Sequence, residues 1–136
     1  MQARRGELVD VLDGDGAVAV AGDRPLGLVT WTVAGAIEAE IRALGVGEAA
    51  RGQGVGAALL EAAERGLRAA SVSRAWLVTT NDNLAALALY QKAGWRLVAL
   101  RTGAIDVLRG TVKPSLPETG QHGIPLRDEL ELAKDL

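Results

Sequence analysis

The chain has 136 residues, of which 49% are hydrophobic, and a formal net charge of −2 at pH 7. This length accommodates one domain with a hydrophobic core and is short for two. The slight negative charge argues against a nucleic-acid-binding protein that is held mainly by phosphate contacts. The absence of cysteine and the single histidine, His122, argue against disulfides, thiolate metal sites and a Ser-His catalytic pair. We therefore expect neither a nucleic-acid partner nor a bound metal.

Residues 1–16 mix charged residues with glycine and contain the turn sequence Asp13-Gly14-Asp15-Gly16, so we expect them to be loosely ordered. No apolar signal core follows the first residues, and no stretch approaches the length of a membrane span. These features predict a cytoplasmic protein without a membrane partner.

Three short apolar runs follow, at residues 17–21, 26–33 and 36–46. The segments between them carry turn residues and are too short for the crossover that parallel neighbours require. The pattern predicts three strands in an antiparallel meander.

The segment Arg51-Gly52-Gln53-Gly54-Val55-Gly56 lies between the third strand and a stretch with strong helical periodicity, residues 54–70. Three glycines at such a turn let the backbone approach a ligand closely. The free N–H groups and the dipole of the new helix favour an anion there. We predict that Arg51, Gly52, Gln53, Gly54, Val55 and Gly56 bind a pyrophosphate, and we call residues 51–56 the cradle.

Two other interpretations of the cradle stay open. A bare tight turn is possible, although it needs one or two glycines rather than three. Residues 52–57 also fit the dinucleotide pattern G-x-G-x-x-[GA], with Asp82 as a ribose ligand. That fold is built from repeated parallel units, whereas this sequence predicts a single crossover, which makes a site for NAD the less favoured interpretation.

The rest of the chain continues the alternation of strands and helices. The predicted elements are a strand at 75–80, a helix at 83–93, a strand at 95–101, an irregular connection at 110–125 and a final half-buried strand from residue 126. A short helix is the alternative for the last segment. Residues 41–80 are thus predicted to form a strand-helix-strand crossover with parallel strands.

The cradle pattern R-G-x-G-x-G, followed by N-x-x-A-x-x-x-Y-x-K-x-G-W from Asn83 to Trp95, resembles the GNAT superfamily of N-acetyltransferases. The resemblance runs from about Ala17 to the end of the chain. It implies an α/β fold of the α+β type, with a mixed, mostly antiparallel sheet and one parallel βαβ crossover. It also implies a single acetyltransferase-like domain over residues 1–136, with acetyl-CoA as the cosubstrate.

The resemblance further implies roles for individual residues. Leu44, Gly45 and Val46 correspond to the strand whose backbone holds the pantetheine arm, and Asn83 corresponds to an asparagine that contacts the cofactor. Tyr90 corresponds to the tyrosine placed near the sulfur. A phenol, with a reference pKa of about 10, is suited to protonate a departing thiolate.

A primary amine is mostly protonated at neutral pH, so a base must take its proton. The candidates are Glu38 and Glu40, which share sequence parity with each other and with Leu44; Glu40 is the one we select. The alternative is that both belong to a solvated sheet edge. His122, in a loop rich in glycine and proline, is expected to be a surface residue.

These features predict transfer of an acetyl group from acetyl-CoA to a primary amine of a small molecule or peptide. The alternative is a catalytically inactive CoA-binding module that acts as a sensor or assembly partner. Members of the family usually begin with a strand and helices that this sequence is expected to lack or to have in shortened form. A sheet face left uncovered in this way could be buried by a second copy, so we expect a homodimer.

Overall fold

The structure is a computed structural model that describes residues 14–136 in full and the backbone of Gln2–Arg4 and Glu7–Val9. The chain divides into two compact units. We call residues 11–77 and 134–136 the cradle unit, and residues 1–10 and 78–133 the tyrosine unit. That residues 1–136 form one domain stays a prediction.

The described elements alternate much as the sequence predicts. The strands are β1 (Gln2–Arg4), β2 (Glu7–Val9), β3 (Asp15–Ala21), β4 (Arg24–Ala34), β5 (Glu38–Val46), β6 (Arg74–Thr80), β7 (Arg96–Arg101) and β8 (Glu129–Asp135). The helices are α1 (Val55–Ala69), α2 (Leu84–Lys92) and α3 (Ala104–Thr111), with 3-10 turns at Glu48–Ala50 and Gln121–Gly123.

The cradle unit confirms the predicted meander and crossover. Strands β3, β4 and β5 pair antiparallel in chain order. Strand β6 begins in this unit and pairs parallel with β5, with Glu38 opposite Arg74 and Glu40 opposite Trp76. Helix α1 connects these two parallel strands, so the fold class predicted from the sequence, mostly antiparallel with one parallel βαβ unit, is confirmed.

Helix α1 packs on one face of the meander because its apolar residues recur at helical spacing. Its buried side chains include Leu59, Leu60, Ala63 and Leu67. The contact with the sheet is close: a Cβ added at Gly66 would lie 2.8 Å from Cζ2 of Trp31. The helix can therefore lie against the indole ring only because residue 66 has no side chain.

A β-bulge interrupts the pairing of β4 with β5. Thr30 pairs with Ala43, whereas the next residue, Trp31, pairs with Ile41, so Arg42 is the extra residue. Directly opposite residues in an antiparallel pair point to the same face, and an extra residue reverses the alternation beyond it. Glu40 therefore shares a face with Ala43, and the sequence parity that placed it with Leu44 is misleading.

The tyrosine unit contains the end of β6, helices α2 and α3, and strands β7 and β8, in the strand order β6-β8-β7. Strands β7 and β8 pair antiparallel. Arg101 on β7 binds two buried carboxylates of β8, Glu129 and Glu131, the latter at 2.9 Å from Nη2 to Oε1. Partial burial opposes the charge of Arg101, but the hydrogen bonds and charges of these two carboxylates raise its pKa above the ordinary value.

Helix α3 was not predicted. Its apolar residues Ile105 and Leu108 pack with Leu126. These two residues are three positions apart, and only a longer helix would have repeated this spacing often enough to show a helical period. Gly103 starts the helix in a left-handed conformation, with φ of 73°. The predicted irregular connection therefore begins after α3 rather than at residue 110.

The final strand is confirmed against the alternative of a short helix, although it begins three residues later than predicted. The later start has a tertiary cause, because Asn81 Oδ1 accepts hydrogen bonds from the amides of Arg127 and Asp128, both at 3.0 Å. At the other end of the chain, the expected loose order of residues 1–16 lies largely outside the described residues. Within them, β1 pairs with β2 antiparallel, and β3 already begins at Asp15.

Candidate functional site

The cradle is a largely exposed turn at the N-terminus of α1. Gly52 and Gly54 have φ of 77° and 79°, a left-handed conformation that side chains rarely adopt. An added Cβ at either position would meet no atom within 4 Å, so the space in front of both glycines is open. Gly54 is the N-cap of α1 and provides no side-chain hydrogen bond to the helix. The first N–H groups of α1 thus lack a side-chain cap, as an anion-binding turn requires.

The two polar side chains of the cradle behave differently. Gln53 Nε2 donates to the carbonyl of Ala49 at 3.3 Å and so closes the turn behind the glycines. Arg51 is exposed and follows the 3-10 turn, its amide bonded to the carbonyl of Glu48 at 3.3 Å. Gln53 therefore shapes the cradle, whereas Arg51 is exposed at its start.

Leu44, Gly45 and Val46 form the last part of β5, directly before the cradle. On one side they pair with Val29, Leu28 and Gly27 of β4. The register between β5 and β6 ends at Glu40 and Trp76, before this segment is reached. Residues 44–46 therefore extend past the described parallel pairing with β6, a position from which a strand can bind an extended ligand along its edge.

Glu40 lies in β5 and is 3% exposed, so the interpretation as a solvated sheet edge is wrong for this residue. Its Oε1 accepts a hydrogen bond from Nε of Arg42 at 3.0 Å. The bulge residue thus places a positive charge beside the carboxylate. The carboxylate has a defined position, which is the first requirement for a catalytic role.

Asn83 and Tyr90 lie at opposite ends of α2 in the tyrosine unit. Asn83 is the N-cap, and its Oδ1 accepts a hydrogen bond from the amide of Ala86 at 3.2 Å, which leaves Nδ2 as the atom suited to a ligand. Tyr90 is 8% exposed, and its ring lies 6.3 Å from that of Trp95 at an interplanar angle of 52°. The phenol is therefore held by packing, as a proton donor must be.

Asp82, which the dinucleotide interpretation proposes as a ribose ligand, has another role. It is 4% exposed, and its Oδ2 accepts a hydrogen bond from the amide of Gln121 at 2.8 Å. Its Oδ1 accepts one from the hydroxyl of Thr80. Both carboxylate oxygens are occupied within the tyrosine unit, so the geometry gives no support to a ribose contact. Sequence reasoning missed this role, since no local pattern links Asp82 to residue 121.

Among residues 14–136, no group of three or more acidic or histidine side chains could hold a metal ion. None of the described helices has both the length and the hydropathy needed to traverse a bilayer.

One family model and several known proteins are similar to this chain. The model of the acetyltransferase (GNAT) family matches residues 5–95. The uncharacterized protein YxbD of Bacillus subtilis is 46% identical over 84 residues, which cover 62% of this chain and 52% of that protein. The uncharacterized protein YdhI of the same organism is 37% identical over 125 residues, covering 92% of this chain and 75% of YdhI.

Among solved structures, an acetyltransferase from Bacillus subtilis in complex with CoA superposes with a TM-score of 0.79 at 25% identity. The match covers 90% of this chain and 77% of that one. In the matches to the Bacillus subtilis relatives, this chain spans about half the length of YxbD and three quarters of the length of YdhI. The match to the family model covers well over half of the chain, and the chain belongs to the acetyltransferase (GNAT) family.

Proposed function

We propose that the protein transfers the acetyl group of acetyl-CoA to a primary amine. The observation that carries the proposal is the cradle, with two left-handed glycines that face open space at the uncapped N-terminus of α1. This geometry offers several N–H groups and a positive dipole end to a pyrophosphate. Family membership and the CoA held by the Bacillus subtilis neighbour support acetyl-CoA as the source of that pyrophosphate.

In the proposed mechanism, residues 51–56 bind the pyrophosphate, and the backbone of Leu44, Gly45 and Val46 binds the pantetheine arm. Asn83 contributes Nδ2 as a further donor to the cofactor. Strand amides of residues 44–46 stabilise the negative charge that develops on the carbonyl oxygen. These groups bind and orient the thioester, so no covalent enzyme intermediate is needed.

The proton transfers are assigned to two side chains. Glu40 takes one proton from the ammonium form of the acceptor, whose nitrogen then forms the C–N bond. The C–S bond breaks, its electron pair stays on sulfur, and the phenol of Tyr90 protonates that sulfur. The second proton lost from nitrogen returns to the phenolate, while the proton on Glu40 passes to solvent, so the enzyme is regenerated.

The test is release of free CoA thiol and detection of the acetylated product by mass spectrometry. The acceptors are spermidine, tyramine and a hexapeptide with a free N-terminal alanine. The variant Y90F should lose about 100-fold in kcat, because general acid catalysis contributes roughly 10² to 10⁴, while its Kd for acetyl-CoA changes less than about twofold.

Other outcomes would change the assignment. Tight binding of acetyl-CoA without transfer to any acceptor supports the alternative, a CoA-binding module that acts as a sensor or assembly partner. Equal turnover by Y90F and the parent enzyme contradicts the role of Tyr90. Absence of acetyl-CoA binding contradicts the whole proposal.

We also propose a cytoplasmic homodimer. Its support is an apolar area on the sheet face opposite α1, where Val18 and Leu28 lie directly across from each other and are 62% and 37% exposed. Light scattering on the eluting protein should give the mass of two chains, and V18E should give that of one. A monomer at all concentrations contradicts the dimer.

A further inference from the structure

Helix α2 ends in a Schellman motif that includes Tyr90. Gly94 is left-handed, with φ of 92°, and its amide donates to the carbonyl of Gln91 at 3.1 Å. The amide of Trp95 donates to the carbonyl of Tyr90 at 2.9 Å. These are the two hydrogen bonds of the motif, and a contact between the side chains of the outer pair frequently accompanies them. The backbone thus turns Trp95 back onto Tyr90.

The side chains of Tyr90 and Trp95 make that contact. Their ring centroids lie 6.3 Å apart at an interplanar angle of 52°, a tilted arrangement within the range of about 4.5–7 Å that aromatic pairs favour. Trp95 is 2% exposed and is one of the largest side chains that the described core buries. The indole is therefore a fixed surface against which the phenol ring rests.

The indole N–H of Trp95 forms no hydrogen bond with the residues that the structure describes, although its nitrogen is buried. A buried donor without an acceptor costs free energy, and a purely apolar side chain at this position would avoid that cost. The hydrogen-bonding group of Trp95 is therefore not what the position uses. What remains is the broad, flat ring and its contact with the phenol.

We propose that Trp95 is a positioning residue for Tyr90, and that its indole fixes the direction in which the phenol delivers a proton to the departing sulfur. This inference rests on the proposed acetyl transfer and concerns the tyrosine unit alone. A proton donor must lie within hydrogen-bond reach of the atom that it protonates. Misplacement of a reacting group by about 1 Å can lower a rate roughly 10²-fold. Trp95 supplies the alignment of the phenol through packing, because its own side chain is buried.

The first test is a double-mutant cycle on the single-turnover rate of acetyl transfer, which product release does not limit. W95L removes the flat ring and keeps an apolar side chain, so it should lower this rate about tenfold or more through misalignment of the phenol. In the Y90F background the same substitution should change the rate less than about twofold, because no proton donor is left to align. The Kd for acetyl-CoA and the KM for the amine should stay within about twofold of the parent values in W95L.

Two further substitutions distinguish alignment of the phenol from a loss of stability. W95F keeps an aromatic ring against the phenol, so its rate should be less than about threefold below that of the parent. L108A is the matched control, because Leu108 is buried in the same unit but packs with Ile105 and Leu126. L108A should lower the melting temperature and leave the single-turnover rate unchanged.

The backbone of the motif provides a test that leaves both rings in place. G94A introduces a side chain at a left-handed residue, which strains the turn that carries Trp95. G103A is its control, because Gly103 is also left-handed, with φ of 73°, and starts α3 in the same unit. Both variants should lose stability, but only G94A should slow acetyl transfer. Equal rates in these two variants contradict the proposed role of the motif.

A further readout does not depend on turnover. Tyr90 is the single tyrosine of the chain, so an isotope label on tyrosine reports the motion of this ring alone. NMR relaxation should give a lower order parameter for the ring in W95L than in the parent, W95F or L108A. An order parameter that W95L leaves unchanged overturns the inference, whether or not acetyl transfer is observed.

The kinetic outcomes separate this inference from the proposed function. If W95L slows transfer by the same factor in the presence and in the absence of the Tyr90 hydroxyl, Trp95 has a general structural role and the inference is overturned. An unchanged rate in W95L overturns it as well. Equal rates in Y90F and the parent, or failure of the parent enzyme to bind acetyl-CoA, count against the proposed function instead.

Discussion

A methyl group added to the cradle should distinguish the two interpretations of this segment, a phosphate-binding turn and a bare tight turn. The substitution is G54A, at φ of 79° and with open space before the Cβ. An alanine in the left-handed region costs about 1–2 kcal/mol, which lowers Tm by roughly 3–10 °C in a chain of this size. The methyl group also projects into the open space at Gly54, where the pyrophosphate is proposed to accept its hydrogen bonds.

The effect on binding should exceed any effect of stability. Each hydrogen bond to a charged group contributes about 1.5–3 kcal/mol, so loss of one raises the Kd for acetyl-CoA by roughly 10- to 100-fold. G35A is the matched control: Gly35 has φ of 81°, equally open surroundings, and lies in the same unit between β4 and β5. G35A should lose the same stability and keep the parent Kd.

The assay is calorimetric titration with acetyl-CoA, accompanied by a thermal melt of each variant. S-acetyl-pantetheine, which lacks the pyrophosphate, serves as a second substrate, and its kcat/KM should be the same for G54A and the parent. An unchanged Kd in G54A would refute the phosphate-cradle argument. An equal rise of the Kd for acetyl-CoA in G35A would show that binding is lost through reduced stability rather than through a change in the cradle.

Two further pairs of variants test the packing of each unit. G66A should lower the free energy of unfolding by about 1–3 kcal/mol, because the added methyl meets Trp31 at 2.8 Å. G110A, where the methyl enters open space, should raise the free energy of unfolding by up to about 1 kcal/mol through helix propensity. Urea denaturation of both variants measures the difference, and a stabilised G66A contradicts the packing described. R101M should lower the free energy of unfolding by about 3 kcal/mol, because it removes the cation that binds the two buried carboxylates of β8. R74M loses an ion pair of 3.4 Å between exposed side chains, so it should lower the free energy of unfolding by less than about 1 kcal/mol. Equal losses in these two variants would show that burial of the carboxylates is unimportant.

The sequence alone determined the elements whose cause is local. Turn residues separate the strands of the meander, glycines mark the cradle, and residues 54–70 carry a helical period that α1 follows closely. Asn83 was identifiable as a cap because its effect reaches only three residues along the chain. These local signals also carry the family resemblance, which the match to the family model confirms.

Tertiary structure decided whatever depends on residues far apart in the chain. The bulge at Arg42 arises from the register between two strands, and it reverses the face that sequence parity assigned to Glu40. Helix α3 is too short for periodicity to identify, and packing on Leu126 stabilises it. The contact of Asp82 with Gln121 joins residues 39 positions apart. Such contacts depend on how the chain folds back on itself, and composition and local spacing contain no record of them.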